Sequence, residues 1–226
     1  MLDYKKIKIL YEDNHLLIVN KPSGILSQGD VTGDKDITSL MKLYVKEKYD
    51  KPGKVFLGLA HRLDRPVSGA IVLCRTSKAL SRMTELFRER KIEKIYHAVV
   101  TQRPTNTSDQ LLSYIKKDTK KNRSKASHKP FHGAKEAILS YNLISDMKKY
   151  CLLEIKLATG RPHQIRVQLS KAKIPILGDV KYHPQPPLED KSIALHCRAL
   201  NFVHPVKKEP LRVTASYPNR SWWNLF

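Results

Sequence analysis

Acidic residues and cysteines are scarce in this chain, and long apolar runs are missing. Asp and Glu total 21 against 42 Lys and Arg, a formal charge of +21 on 226 residues. The carboxylates are also scattered, without the clustering that a metal-dependent nuclease needs. So large a positive excess implies a polyanionic partner. No strongly amphipathic basic helix stands out, which favours nucleic acid over a membrane surface. The plain alternative is a generally basic, soluble surface. Three cysteines occur, Cys74, Cys151 and Cys197, odd in number and far apart. They make neither a CxxC pair nor a Cys/His ligand spacing, so neither a disulfide framework nor a zinc site is expected, and a reducing cytoplasm fits. No apolar run approaches the roughly 20 residues of a membrane span. The opening stretch, MLDYKKIKILYEDNHLLIVNKPSG, is strand-like and charged throughout, unlike a secretory leader. Gly-rich nucleotide loops, internal repeats and low-complexity tracts are also missing.

What is present suffices for one large domain or two small ones, and 41% hydrophobic residues can bury a sizeable core. One stretch stands out, His61-Arg62-Leu63-Asp64-Arg65-Pro66-Val67-Ser68-Gly69, which sets one carboxylate between two guanidinium groups. Short apolar runs flank it, Val55 to Ala60 and Gly69 to Cys74, both read as buried strands. Pro66 and Gly69 mark the segment between them as a loop. A loop mounted between buried strands is a rigid support for a catalytic side chain, and Asp64 is the candidate. The plain alternative is a structural ion pair of Asp64 with Arg62 or Arg65 in a turn.

Around this stretch the pattern alternates strands and a few helices. Lys6 to Leu10 and His15 to Asn20 read as strands joined at Glu12-Asp13-Asn14, and Lys21-Pro22-Ser23-Gly24 breaks the pattern. Asp36 to Tyr49 reads as a helix capped by Asp36 or Thr38, with Leu40, Leu43 and Tyr44 at helical spacing. Thr76 caps a second helix running to about Arg90, whose stripe from Ala79 to Phe87 is read as core packing. Ile92 to Thr101 alternates as a strand and carries Tyr96. Arg103 to Lys135 is the most polar part. Eight Lys and Arg fall between 116 and 135, with Asp118 the only acid. It reads as a loop or loose hairpin, either contacting phosphates or simply solvated.

Glu136 to Ser145 and Tyr150 to Ala158 are strands. Thr159 to Leu169 then opens a helix with Pro162 in its first turn and Ile165, Leu169 and Ala172 on its buried side. Arg161, His163, Gln164 and Arg166 make that start electropositive and rich in donors, ready for an anion. A basic helix lying on the surface is the alternative. Ala194 to Pro205 is a further strand, with Leu195 and His196 near its start. Trp222 and Trp223 are expected to pack the C-terminus down. Successive runs of strands broken by two or three helices indicate an α+β fold.

Several of these segments, in order, resemble motifs of the RluA-type pseudouridine synthases. Tyr11 to Gly24 resembles YEDxxLLVVNKPxG, and His61 to Gly69 resembles HRLDRxTSG with Val67 in place of Thr. Lys94 to Val100 resembles KxYxAxVxG, with Thr101 in place of the last Gly. Thr159 to Gln168 resembles TGRxHQIRVH, with Pro162 for Thr or Ser and Gln168 for His. Ile174 to Tyr182 resembles PIxGDxxYG, with His183 in place of the last Gly. Ala194 to Pro205 resembles LHAxxLxFxHP, with Cys197 for Ala. The resemblance runs from about residue 7 to about residue 217.

That resemblance implies the pseudouridine synthase fold: a mixed, mostly antiparallel sheet with flanking helices and a central basic cleft. It implies one catalytic domain over the whole chain, in two halves, without the S4 RNA-binding domain that several members carry. The implied reaction isomerises uridine in ribosomal or transfer RNA, with no cofactor, no metal and no obligatory protein partner. Asp64 is then the nucleophile, Tyr96 sits at the target base, and Arg166 pairs with Asp64. Arg62 is the candidate for filling the vacated base stack. His61, Arg65, Arg161, His163 and Gln164 are expected on the substrate side, and Leu195 and His196 at the base pocket. The rival expectation is a non-catalytic RNA-binding protein of the same fold.

Overall fold

A computed structural model describes residues 3–31 and 33–226. In chain order the elements are β1 (Ile9–Glu12), β2 (Leu16–Lys21), α1 (Ile37–Lys48), β3 (Gly58–Leu59), β4 (Ser68–Cys74), α2 (Ser77–Arg88) and β5 (Glu93–Val100). There follow β6 (Ser108–Asp118), β7 (Arg123–Ser127), β8 (Lys135–Asp146), β9 (Cys151–Leu157), α3 (Gln164–Lys171), β10 (Leu195–Val203) and β11 (Pro210–Thr214). They fall into two compact units. The first runs up to Lys94 and takes in Cys197–Pro218; the second is Ile95–His196 with Asn219–Phe226.

In the first unit Asp13 shapes the turn between β1 and β2. Its Oδ1 accepts from the backbone N–H of His15 and of Leu16, each at 2.8 Å. β2 then pairs antiparallel with β4, from Leu16 opposite Cys74 to Lys21 opposite Gly69. β10 neighbours β4 and pairs antiparallel with β11. Every residue of β4 is buried, as its unbroken apolar run requires. Asp36 caps α1 by accepting from the Ser39 N–H, and Thr76 caps α2 by accepting from the Ala79 N–H.

Two expectations fail here. The run Val55 to Ala60 pairs only at Gly58 and Leu59, opposite Cys74 and Leu73, and Phe56 is exposed. Most of that edge of β4 is already taken by β10, so only its end is open to β3. In α1 the buried face is Ile37, Leu40, Met41 and Val45, while Leu43 turns outward.

The second unit orders its strands β5-β9-β8-β6-β7, each neighbouring pair antiparallel. A single bridge in the first unit, Leu26 with Asp36, is parallel. The architecture is thus α+β with a mixed, mostly antiparallel sheet. The polar stretch 103–135 is an ordered hairpin, not a loop: β6 and β7 pair from Tyr114 opposite Ser127 to Asp118 opposite Arg123. Charge masked its alternation. Ser113 and Ile115 point inward, and Ile115 joins Ala137, Val167 and Tyr182 in one apolar cluster.

α3 is neither a surface helix nor started by Pro162. Its residues from Gln164 to Leu169 are all buried. His163 is the N-cap residue, in the left-handed region at φ 53°, with no capping side chain. Pro162 lies before it, and Ala172 is an exposed C-cap. Gln164 explains the shift: its Oε1 accepts from the Thr159 hydroxyl at 2.8 Å and the Arg161 N–H at 2.9 Å, curling 159–163 into a tight turn. Trp223 is buried against the edge of His196, with centroids 5.8 Å apart, while Trp222 is half-buried.

Gly69 permits the close approach of two strands. Its φ is +118°, and a Cβ there would lie 2.4 Å from the backbone N and O of Cys197 on β10. No side chain fits without moving backbone. Gly69→Ala is expected to destabilise the protein by on the order of 3 kcal/mol or more. Urea denaturation checks this, and a wild-type midpoint would refute the packing argument.

Candidate active site

Asp64 sits on a loop whose backbone is clamped on both sides. Before it, the Ser27 hydroxyl donates to the Leu63 carbonyl at 2.6 Å and accepts from the Leu63 N–H at 3.0 Å. After it, the Arg65 carbonyl accepts from the Gly24 N–H at 2.8 Å and from Lys21 Nζ at 3.4 Å. The Val67 N–H closes a turn onto the Asp64 carbonyl at 3.0 Å.

Lys21 is the residue that sequence reasoning passed over. It ends β2 with its side chain wholly buried, and Nζ also donates to the carbonyls of Pro22 at 3.0 Å and Ile25 at 2.9 Å. Burial pushes its ammonium down to about 7; the charge of Asp64 opposes the shift and that of Arg65 adds to it. Its place in the NKPxG-like segment was the available signal.

The other residues of the loop divide. Arg65 donates from Nε to the Gly24 carbonyl at 3.0 Å, and its Nη1 lies 2.8 Å from Asp34 Oδ2. Arg65 therefore braces the loops of Gly24 and Asp34 against the segment that carries Asp64. Arg62 is exposed. His61 Nε2 accepts from the Val72 N–H at 3.0 Å, and its ring stacks on Phe87 at 4.6 Å. Burial, helped by the charge of Lys94, pushes the imidazole down to about 3. A neutral ring taking a backbone N–H belongs to the scaffold of β4.

The second unit carries the remaining candidates. Tyr96 is buried on β5, opposite Ile155 of β9. Leu195 and His196, at the start of β10, are both buried. In the turn before α3, Arg161 Nε donates to the Glu136 carbonyl at 2.8 Å. Gln164 Nε2 donates to the Ile138 carbonyl at 3.1 Å. Gln168, where the resembling family has His, donates to the carbonyls of Leu111 at 2.9 Å and Ala137 at 3.1 Å, tying α3 to β6 and β8.

Arg166 is held by a partner that the sequence reading did not name. Its Nε donates to Asp179 Oδ2 at 2.8 Å and its Nη2 to Asp179 Oδ1 at 2.7 Å, a buried two-pronged pair that fixes one edge of the guanidinium. Tyr182 supports the pair. Its ring lies 5.3 Å from the Arg166 guanidinium and 5.2 Å from that of Arg123. Its hydroxyl accepts from the Ser124 N–H and meets His163 Nδ1, both at 2.7 Å. Burial raises the Tyr182 pKa, with Arg166 opposing the shift. Asp179 and Tyr182 both stand in the PIxGDxxYG-like segment, which was recognised without a role for either. Among the described residues no group of three or more His, Cys, Asp and Glu is arranged to hold a metal ion.

Two measurements test these supports. Lys21 is lowered to about 7 in the fold against 10.5 for a free lysine, so between those values the unfolded chain binds more protons. Its contribution to stability therefore improves with rising pH across that window. Melting temperatures of the wild type and Lys21→Met, compared from about pH 7 to about pH 9, are expected to move in the wild type's favour; a constant gap would mean that Lys21 keeps its proton in the fold and would contradict the downward shift caused by burial. Asp179→Asn strands a buried guanidinium and is expected to cost roughly 3 kcal/mol in urea denaturation. A loss under about 1 kcal/mol, as for a surface pair, would sink that assignment.

Residues 15–171 match the family described as RNA pseudouridylate synthase. Ribosomal large subunit pseudouridine synthase D of Borreliella burgdorferi is 33% identical over 180 residues, covering 78% of this chain and 54% of that protein. The chain thus spans about half the length of that relative. tRNA pseudouridine synthase C of Vibrio parahaemolyticus is 31% identical, covering 98% of this chain and 94% of that protein. Among solved structures, human RNA Pseudouridylate Synthase Domain Containing 4 superposes with a TM-score of 0.78 at 25% identity, covering 94% of this chain and 89% of that one. The family match takes in β2 to α3, including the Asp64 loop and the turn that carries Arg166, and the chain belongs to the RNA pseudouridylate synthase family.

Proposed function

We propose that this protein isomerises uridine to pseudouridine within ribosomal or transfer RNA, with Asp64 as the catalytic carboxylate. The observation that carries the reading is Asp64 itself, on a loop whose backbone is fixed on both sides by Ser27, Gly24 and Lys21, in a chain of this family. In the reaction the bond from uracil N1 to ribose C1′ breaks, the base turns, and C5 bonds to C1′. N1 gains a proton and C5 loses one, so nothing is oxidised and no group is transferred between molecules. Asp64 acts on the ribose, as nucleophile at C1′ or as base toward a ribose proton. The family resemblance makes Arg166 its charge partner, and the fork to Asp179 gives that guanidinium a fixed orientation. Tyr96 stacks on the uracil and serves proton transfer at C5.

A uridine in folded RNA must first be extruded, at a cost of a few kcal/mol. Arg62, exposed on the Asp64 loop, fills the vacated stack. RNA as partner agrees with the charge of +21. Three buried cysteines outside any disulfide agree with a reducing cytoplasm, and no helix among the described residues is long and apolar enough to cross a membrane.

The test is tritium release to water from cellular RNA labelled at uridine C5, with the wild type beside Asp64→Asn. Release by the wild type and only background from the variant is expected. Equal release by both would remove Asp64 from the chemistry. Release by neither, with RNA still bound, would replace the enzyme by an RNA-binding protein of the same fold.

A further inference from the structure

Beneath the β6–β7 hairpin, within the second unit, lies an open groove of about 410 Å³. Its hairpin wall carries Lys121, Arg123 and Lys125, its helix wall carries Lys171 of α3, and Tyr182 forms its floor. Four cations face one acid, Asp118, whose Oδ1 already accepts from the Lys121 N–H at 3.0 Å.

The groove is built, not draped. The buried Ser124 donates its N–H to Tyr182 and its hydroxyl to the Pro162 carbonyl at 2.7 Å. Lys171 Nζ donates to the Ala126 carbonyl at 3.2 Å, and Lys181 Nζ to the Asn122 carbonyl at 3.0 Å, so α3 and the segment after it both grip β7 and its turn. Lys121, Arg123 and Lys125 are exposed at its rim.

We infer that this groove holds the phosphodiester backbone of the substrate RNA. The proposal rests on the reading of the protein as an RNA-modifying enzyme and adds to it a surface. Charge complementarity selects the occupant: the rim supplies cations, and phosphates are what they neutralise. The Tyr182 ring, near both Arg123 and Arg166, is buried at 8% exposure and offers little surface for a base to stack on. Contacts to phosphate carry no sequence information, so the affinity supplied by the groove is expected to be shared by unrelated structured RNAs. One tyrosine ring touches both Arg123 and Arg166, which puts a phosphate bound at Arg123 within one side chain of the residue assigned to the chemistry.

The test compares Lys121→Gln/Lys125→Gln with Lys42→Gln/Lys46→Gln, which removes the same charge from exposed positions on α1. Arg123→Gln is a third variant, with melting curves confirming that each folds. Fluorescence anisotropy with a labelled transfer RNA and an unrelated structured RNA gives affinity from about 50 to 300 mM salt. The hairpin variant is expected to lose about tenfold on both RNAs, with its log–log salt slope shallower by one to two, about 0.7–0.9 per phosphate contact. The α1 variant is expected to change neither by more than about twofold. Equal effects of the two double variants would overturn the groove, as would a loss confined to one RNA. Tritium release by the wild type separates this from the enzyme reading. Release with equal double variants rejects only the groove; no release with a hairpin-specific loss rejects only the enzyme.

Discussion

A lysine ammonium taken out of water is the constraint on which the Asp64 loop depends. Lys21 is among the most buried side chains of the protein, at 0% exposure. An unpartnered charge there would cost many kcal/mol. Carbonyls at 22, 25 and 65 converge on it, and the charge of Asp64 favours its protonated form. The ammonium thus pulls two segments, 22–25 and 63–67, onto the end of β2. An apolar side chain would fill the space and leave those carbonyls unpaired. The backbone of the loop that carries Asp64 is thus tied to the end of β2 by one buried lysine, together with the clamps from Ser27 and Gly24.

The second unit solves the same problem with a different pair. Arg166 is buried and charged in any physiological condition, so it requires an equally buried carboxylate with matching geometry, and Asp179 supplies both oxygens. The guanidinium carbon of that pair lies over the Tyr182 ring, 5.3 Å from its centroid. Because the Tyr182 hydroxyl also takes the Ser124 N–H, the position of Arg166 and the footing of the hairpin are set by one side chain. A shift of either would be felt by the other through contacts shorter than a helix turn.

The sequence made the order of elements readable because strand alternation and capping residues are local signals. Asp36 and Thr76 cap where side-chain chemistry says they should. Gly69 was legible as loop punctuation, though not as the place where β10 comes within contact. Asp64, Tyr96 and Arg166 are candidates on motif resemblance. Lys21, Asp179 and Tyr182 stood in recognised motifs but had no role, because their importance lies in tertiary hydrogen bonds that spacing does not encode. The hairpin was half-read for a related reason: a dense run of lysines hides the inward alternation of Ser113 and Ile115. The Val55 to Ala60 strand was over-read because a run of β-formers pairs only where a sheet edge is free.

The fate of the donors before α3 shows how charge should be read in such a chain. The sequence places Arg161, His163, Gln164 and Arg166 at a helix start, which by itself describes an anion site. In the fold, Arg161 bonds the Glu136 carbonyl, His163 meets Tyr182, Gln164 closes its own turn, and Arg166 takes Asp179. Each is engaged in holding the turn together. A cation that builds structure has part of its hydrogen-bonding capacity fixed before any ligand arrives, whereas Lys121 and Lys125 stand exposed on the hairpin. The charge that orients and the charge that attracts are therefore carried by different segments. The first sits buried on α3 among neutralising partners, and the second is exposed on β7 and its turn. That division leaves much of the excess of +21 exposed and open to a polyanion, while the buried Arg166–Asp179 pair stays neutralised within the fold.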